Sequence, residues 1–203
     1  MIVMVNYGVG NLFSLERSFN AIGQEVVVTD SREVIEKADK IILPGVGAFG
    51  DASQKLKDSG LGEVICERAK AGVPILGICL GMQLLFEKSS EYGENEGLGL
   101  IKGRIDPIAQ YVPRGFKIPH IGWNVLNKKK ESKLFKYLSD GDYVYFVHSF
   151  CAVDCEDSVT AVTDYGATIT ACVESGNVMG CQFHPEKSGK TGLNILRAFC
   201  EVE

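Results

Sequence analysis

The chain has 203 residues, 45% of them hydrophobic and 23% charged, so it can bury roughly 70% of its unfolded surface and is too ordinary in composition to be disordered or fibrous. Twenty-one basic against 26 acidic residues leave a formal charge of −5, which argues against a dominant nucleic-acid or anionic-membrane surface. No apolar run reaches the ~18 residues that cross a bilayer, and residues 1–8 lack the basic and small-residue marks of a signal peptide.

Ile2–Val5 reads as a buried strand, followed by Leu12, Leu15, Phe19 and Ile22 at helical spacing until Gly23. Val26–Thr29 and Lys40–Leu43 read as strands, Leu61–Lys70 as a helix, 73–78 as a buried strand and 80–88 as a helix. Strands that are apolar throughout and alternate with helices predict an α/β fold with a mostly parallel central sheet flanked by helices. Residues 143–147, 158–163, 168–173 and 178–183 are β-rich and joined by short turns. They read as an antiparallel extension of that sheet, closed by a helix over 192–201. No repeat or linker interrupts the chain, so one domain is expected over 1–203.

The segment with most chemistry in it is Gly77-Ile78-Cys79-Leu80-Gly81-Met82-Gln83. A cysteine between a buried strand and a helix, with glycine two residues to either side, matches the nucleophile-elbow pattern. The tight turn excludes side chains at the flanking positions and lifts the thiol to a helix start. There the helix dipole favours thiolate, and the Leu80 N–H is free to meet an oxyanion. By itself the segment reads as a buried cysteine in a glycine-punctuated turn. What changes the reading is His184-Pro185-Glu186: Pro185 enforces an extended segment, so that His184 and Glu186 share a face and the carboxylate orients the imidazole. Nucleophile, base and orienter are then Cys79, His184 and Glu186.

Pro44-Gly45-Val46-Gly47-Ala48-Phe49-Gly50 matches G-x-G-x-x-G, but it follows the third strand, and no acidic strand end lies about 20 residues on, which weighs against a dinucleotide site. The other reading is that Gly45, Val46 and Gly47 face the elbow and supply a second, switchable oxyanion N–H. His120, His148 and His184 are too far apart in sequence for a local metal site, and no metal or cofactor is expected. Seven cysteines, Cys66, Cys79, Cys151, Cys155, Cys172, Cys181 and Cys200, form no framework and read as reduced thiols of a cytosolic protein; Cys151 and Cys155 read as core thiols. Lys128-Lys129-Lys130 reads as a solvated turn. The single tryptophan, Trp123, reads by default as core and more sharply as an interface residue.

With these residues in view, the sequence resembles the class I (triad-type) glutamine amidotransferases, through Gly77 to Gln83 and Phe183-His184-Pro185-Glu186. Within them it is similar to the glutaminase subunits of imidazole glycerol phosphate synthases. That narrower likeness rests on Asn6 to Asn11, Pro44 to Gly47, Pro119 to Asn124, Tyr145 to Phe150 and His184 to Gly189, and spans about residues 2–200. Asn6 departs from the family, which more often has Asp there, and puts a polar contact of the first loop in doubt. The resemblance implies a flavodoxin-like sheet and hydrolysis of L-glutamine to glutamate and ammonia by Cys79, His184 and Glu186. It implies an oxyanion hole from Leu80 and the Gly45–Gly47 loop, and glutamine held by Gln83, Glu91, Ser149 and Phe150. It further implies a partner chain, the (β/α)₈ cyclase of histidine biosynthesis, meeting Asn11, Trp123 and Lys187. That cyclase uses the ammonia to make imidazole glycerol phosphate and AICAR. The hole loop is expected to be unproductive until the loaded partner docks. Two alternatives stay open at this point: a paralogous amidotransferase feeding another acceptor, and a cysteine hydrolase or peptidase on the same fold.

Overall fold

Four-residue strands that are apolar at every position must be covered on both faces, and this decides the architecture. A computed structural model describes residues 1–203. Its first half runs β1 (Ile2–Val5), α1 (Leu12–Ala21), β2 (Val26–Thr29), α2 (Arg32–Glu36), β3 (Lys40–Leu43), α3 (Phe49–Asp58), α4 (Leu61–Lys70), β4 (Ile75–Ile78) and α5 (Leu80–Leu84). Its second half runs β5 (Phe86–Ser89), β6 (Asn95–Glu96), β7 (Ile101–Pro107), β8 (His120–Val125), β9 (Asn127–Lys128), β10 (Tyr143–His148), β11 (Phe150–Val153), β12 (Val159–Asp164), β13 (Thr168–Ser175), β14 (Val178–Cys181) and α6 (Gly189–Cys200).

The main sheet has eight strands in the order β2-β1-β3-β4-β14-β13-β12-β9. From β2 to β14 neighbouring strands run parallel, and from β14 onward the pairing is antiparallel. Successive side chains leave a strand on opposite faces. Val3, Val5, Ile41, Leu43 and Ile75 therefore join one core, under α2, α3 and α4, while Ile2, Met4, Ile42, Leu76 and Ile78 join the other, under α1 and α6. Leu15 and Phe19 of α1 and Ile195, Leu196 and Phe199 of α6 are buried there, each contributing about 1.5–3 kcal/mol. No helix is long and apolar enough to cross a membrane.

Three expectations change. The helix expected over 80–88 stops at Leu84, because the returning chain takes its final carbonyls: Leu98 N–H donates to Leu84 O, and Leu100 and Ile101 N–H donate to Leu85 O. Phe86 then enters β5, which pairs with β6 and β7 in a four-stranded sheet with β11. The strand expected over 143–147 pairs with β8, apart from the main sheet. His184-Pro185-Glu186 is extended only at His184 (φ −97°, ψ 100°), after which Pro185–Lys187 closes into a 3₁₀ turn. Proline at the first position of that turn has its fixed φ already suited to it.

Candidate active site

The carboxyl ends of β1, β3, β4 and β14 lie side by side and deliver the loops that matter, as is usual for open α/β sheets. Cys79 follows β4 with φ 54° and ψ −112°, a conformation that costs a non-glycine residue about 1–3 kcal/mol. Its backbone is clamped by Cys79 N–H donating to Cys181 O at 2.8 Å and by Gln83 N–H donating to Cys79 O at 3.2 Å. A Cβ on Gly77 would lie 2.7 Å from Gly81 O, and one on Gly81 only 1.8 Å from Leu43 O, so the elbow closes because both positions are glycine. Since α5 has only five residues, local N–H groups rather than a long helix dipole act on the sulfur. Leu80 N–H has no protein acceptor.

The thiol opens onto a cavity of about 350 Å³ lined by Val46, Gly47, Cys79, Leu80, Gln83, Glu91, Tyr92, Pro119, Val147, His148, Ser149, Phe150 and His184. His184 is 3% exposed and faces Cys79, while its Nδ1 lies 2.8 Å from Glu186 Oε1. Glu186 sits behind the ring and does not line the cavity; its Oε2 is buried without a partner, so His184 is the carboxylate's one polar contact. Burial acts to pull the imidazole down. Hydrogen bonds to Cys79 and Glu186, and the charges of both, outweigh it and push the ring up to about 10. Because this lies above the usual 6.5, the pair stabilises the fold fully below pH ~6.5, and that contribution fades as pH climbs toward 10. Glu186→Gln removes the negative partner, so the His184 midpoint is expected to fall by a pH unit or more in ¹⁵N-histidine NMR titration. An unmoved midpoint would mean that Glu186 does not hold the ring.

The Gly45–Gly47 loop, expected from the sequence to form an oxyanion hole, reaches the cavity with only part of its length. Val46 and Gly47 line the cavity, and neither N–H has a protein acceptor. Gly45 lies beneath, where a Cβ would be 2.8 Å from Gly81 N and 2.9 Å from Tyr7 Oη, so it packs rather than lines. Tyr7, a residue to which the sequence assigned no role, donates from its buried hydroxyl to Pro44 O at 2.7 Å and pins the start of this loop. Burial, and after it the Cys79 charge, hold the Tyr7 hydroxyl far above its ordinary range, so it stays a donor. Asn6 Oδ1 accepts from Gly8 N–H at 3.3 Å, which answers the doubt over the first loop.

Among the predicted glutamine-holding residues, Gln83, Glu91, Ser149 and Phe150 all line the cavity. Glu91 Oε2 accepts from Phe49 N–H at 2.7 Å, leaving Oε1 without a protein donor. His148, read from sequence as structural, donates from Nδ1 to Phe150 O at 2.8 Å and meets His120 at 2.9 Å. Burial pulls both rings down to about 4, so they are neutral at pH 7. Trp123 is 55% exposed, against its default reading as core. It packs edge-on to Tyr145, whose ring also carries Lys187 Nζ at 5.8 Å. Asn11 caps α1 by accepting from Ser14 N–H at 3.4 Å. Cys151 and Cys155 are buried free thiols pushed up to about 12 and about 11 by burial, too high to ionise near neutrality.

The family model for class-I glutamine amidotransferases matches residues 3–202. The imidazole glycerol phosphate synthase subunit HisH of Lactococcus lactis subsp. lactis (strain IL1403) is 54% identical over 201 residues, 98% of each chain. The chain belongs to the class-I glutamine amidotransferases, in their HisH branch. HisH of Aquifex aeolicus (strain VF5) is 50% identical over 199 residues, 97% of this chain and 94% of that one. A crystal structure of a glutamine amidotransferase superposes on this amidotransferase with a TM-score of 0.78 over 99% of this chain and 98% of that one, at 20% identity. The PurLQS structure from Thermotoga maritima gives a TM-score of 0.73 over 98% of this chain and 96% of that one, at 22% identity. At such identities these two speak for the α/β fold alone.

Proposed function

We propose that this chain is the glutamine-hydrolysing subunit of an imidazole glycerol phosphate synthase. On this reading it works as one domain over 1–203 in the cytoplasm and passes ammonia to a separate (β/α)₈ cyclase chain. One observation carries the chemistry: a strained thiol at a cavity wall, beside a histidine whose other nitrogen is held by a buried carboxylate. The HisH relatives supply the pathway.

Cys79 attacks the side-chain amide carbon of L-glutamine with its proton already held by His184, whose ring, despite its burial, Cys79 and Glu186 push up to about 10. His184 returns a proton to the leaving nitrogen, ammonia departs and a thioester remains. Water adds to the thioester with His184 as base, glutamate leaves and the thiol is restored, while Glu186 keeps the ring oriented throughout. Leu80 N–H and an N–H of the Gly45–Gly47 loop hold the oxyanion. Glu91 Oε1 is free for the glutamine ammonium, and Gln83 with the Ser149 and Phe150 main chain forms the facing wall.

The loop is built to turn at one end. Gly45 is clamped against Gly81, whereas Gly47, at φ +103°, has open space around it. Turnover of glutamine by the isolated chain is therefore expected to be low, and to rise when the cyclase and an acceptor analogue are added. Full activity in isolation would sink the switch, and none in either condition would sink the function. Asn11, Trp123 and Lys187 form the docking side. Trp123→Ala is expected to weaken cyclase binding about tenfold or more by calorimetry, as truncation of a tryptophan anchor does. Unchanged affinity would remove Trp123 from the interface.

A further inference from the structure

The amide orientations around Cys79 are set by one group whose role is unambiguous, the main-chain carbonyl of Phe150. It can only accept, and it lies 2.8 Å from His148 Nδ1 and 3.4 Å from Gln83 Nε2. Gln83 therefore turns its NH₂ toward that carbonyl. The same NH₂ meets the Gln182 side chain at 3.0 Å, so Gln182 must present its oxygen there. What remains, the NH₂ of Gln182, faces the Cys79 sulfur at 3.8 Å. Gln182 is wholly buried, and its own backbone N–H is bonded to Ala171 O at 2.9 Å, so the side chain has no solvent alternative.

Burying a carboxamide is unfavourable unless its donors are used. A thiol sulfur accepts weakly, whereas an ionised acceptor roughly doubles the strength of a hydrogen bond. The contact from Gln182 is therefore strongest while the Cys79 proton sits on His184, and it slackens once the sulfur carries an acyl group. A donor that favours thiolate over thiol enlarges the share of molecules whose sulfur can attack.

We infer that Gln182 is a further catalytic residue, a fixed donor to the Cys79 sulfur that stabilises its thiolate and is itself aimed, through Gln83, by the Phe150 carbonyl. This rests on Cys79 being the nucleophile, as proposed above.

The test is the pH dependence of Cys79 alkylation by iodoacetamide in the full chain, with Cys79→Ala identifying the signal and glutamine hydrolysis followed in parallel. Gln182→Met, which keeps length and removes the donor while Gln83 retains Phe150 O, is expected to slow alkylation at neutral pH about tenfold. It should raise the thiolate midpoint by about one pH unit, lowering kcat with little change in KM. Gln182→Glu, close to isosteric, is expected to raise the midpoint at least as far, because it sets an acceptor or a like charge against the sulfur. Midpoints unchanged in both variants would overturn the assignment. Should neither variant fold, the side-chain ¹⁵NH₂ resonance of Gln182 in the unaltered chain decides. It is expected to titrate with the alkylation midpoint and to be insensitive to pH in Cys79→Ala, and a flat response in the unaltered chain overturns the inference. Glutamine hydrolysis that survives Cys79→Ala would bring down the nucleophile itself. A failure confined to the Gln182 measurements leaves Cys79 standing.

Discussion

Cys79→Ala is expected to lower glutamine hydrolysis at least about 10⁴-fold, the scale on which removing a nucleophile disables a catalytic unit. Glutamine should still bind, because Gln83, Glu91, Ser149 and Phe150 line the cavity independently of the sulfur. Calorimetry with glutamine and a turnover assay separate the two effects, and hydrolysis within tenfold of the unaltered chain would end the triad reading. The backbone at this position adds a second, independent measurement. Cys79 holds φ 54° and ψ −112°, and alanine inherits that strain while glycine does not. Cys79→Gly should therefore be as inactive as Cys79→Ala yet more stable than it by about 1 kcal/mol in urea denaturation. Equal stabilities would show that the elbow is relaxed rather than strained.

The parts of this site that were legible in the sequence are those fixed by local geometry. Ile2–Val5 and Lys40–Leu43 have the bounds their apolar runs predict, since a strand covered on both faces shows as an unbroken apolar run, and Val26–Thr29 and helix Leu61–Lys70 also have the bounds expected of them. The Gly77-x-Cys79-x-Gly81 spacing announced the elbow because glycine is needed wherever one backbone presses on another. Contacts made across the chain were not legible. Helix α5 looked longer than it is because only the distant Leu98–Ile101 segment reveals what takes its last carbonyls. The strand expected over 143–147 carried no mark of its partner, β8, and so was assigned to the wrong sheet. The meeting of His184 with Glu186 was foreseen, but through an extended segment. Pro185 starts a tight turn instead, and reaches the same carboxylate–imidazole contact by another backbone path. Tyr7 on Pro44 O, and Gln182 on the Cys79 sulfur, join residues 37 and 103 positions apart, and no local pattern encodes either.

Gly81→Ala is the second substitution with a large expected effect, and Gly47→Ala is its natural control. A Cβ on Gly81 would sit 1.8 Å from Leu43 O, 2.7 Å from Leu43 C and 3.1 Å from Pro44 C. All three are backbone atoms at the end of a central strand, so no rotamer change relieves the clash and β3 must part from the elbow. The loss is expected to be at least about 3 kcal/mol, at the upper end for overpacking a core. Turnover should vanish with it, because the same shift moves the hole loop away from Cys79. Gly47 presents the opposite case: nothing lies within 4 Å of its Cβ position, but its φ of +103° is one that L side chains rarely adopt. Alanine there strains the backbone by about 1 kcal/mol and leaves the core intact. Gly47→Ala should therefore melt close to the unaltered chain while losing partner-stimulated turnover, since a loop that must turn has lost the residue that lets it. If Gly81→Ala proved as mild as Gly47→Ala in urea denaturation, the close approach of Leu43 to the elbow, and with it the packing that holds hole and nucleophile together, would be refuted.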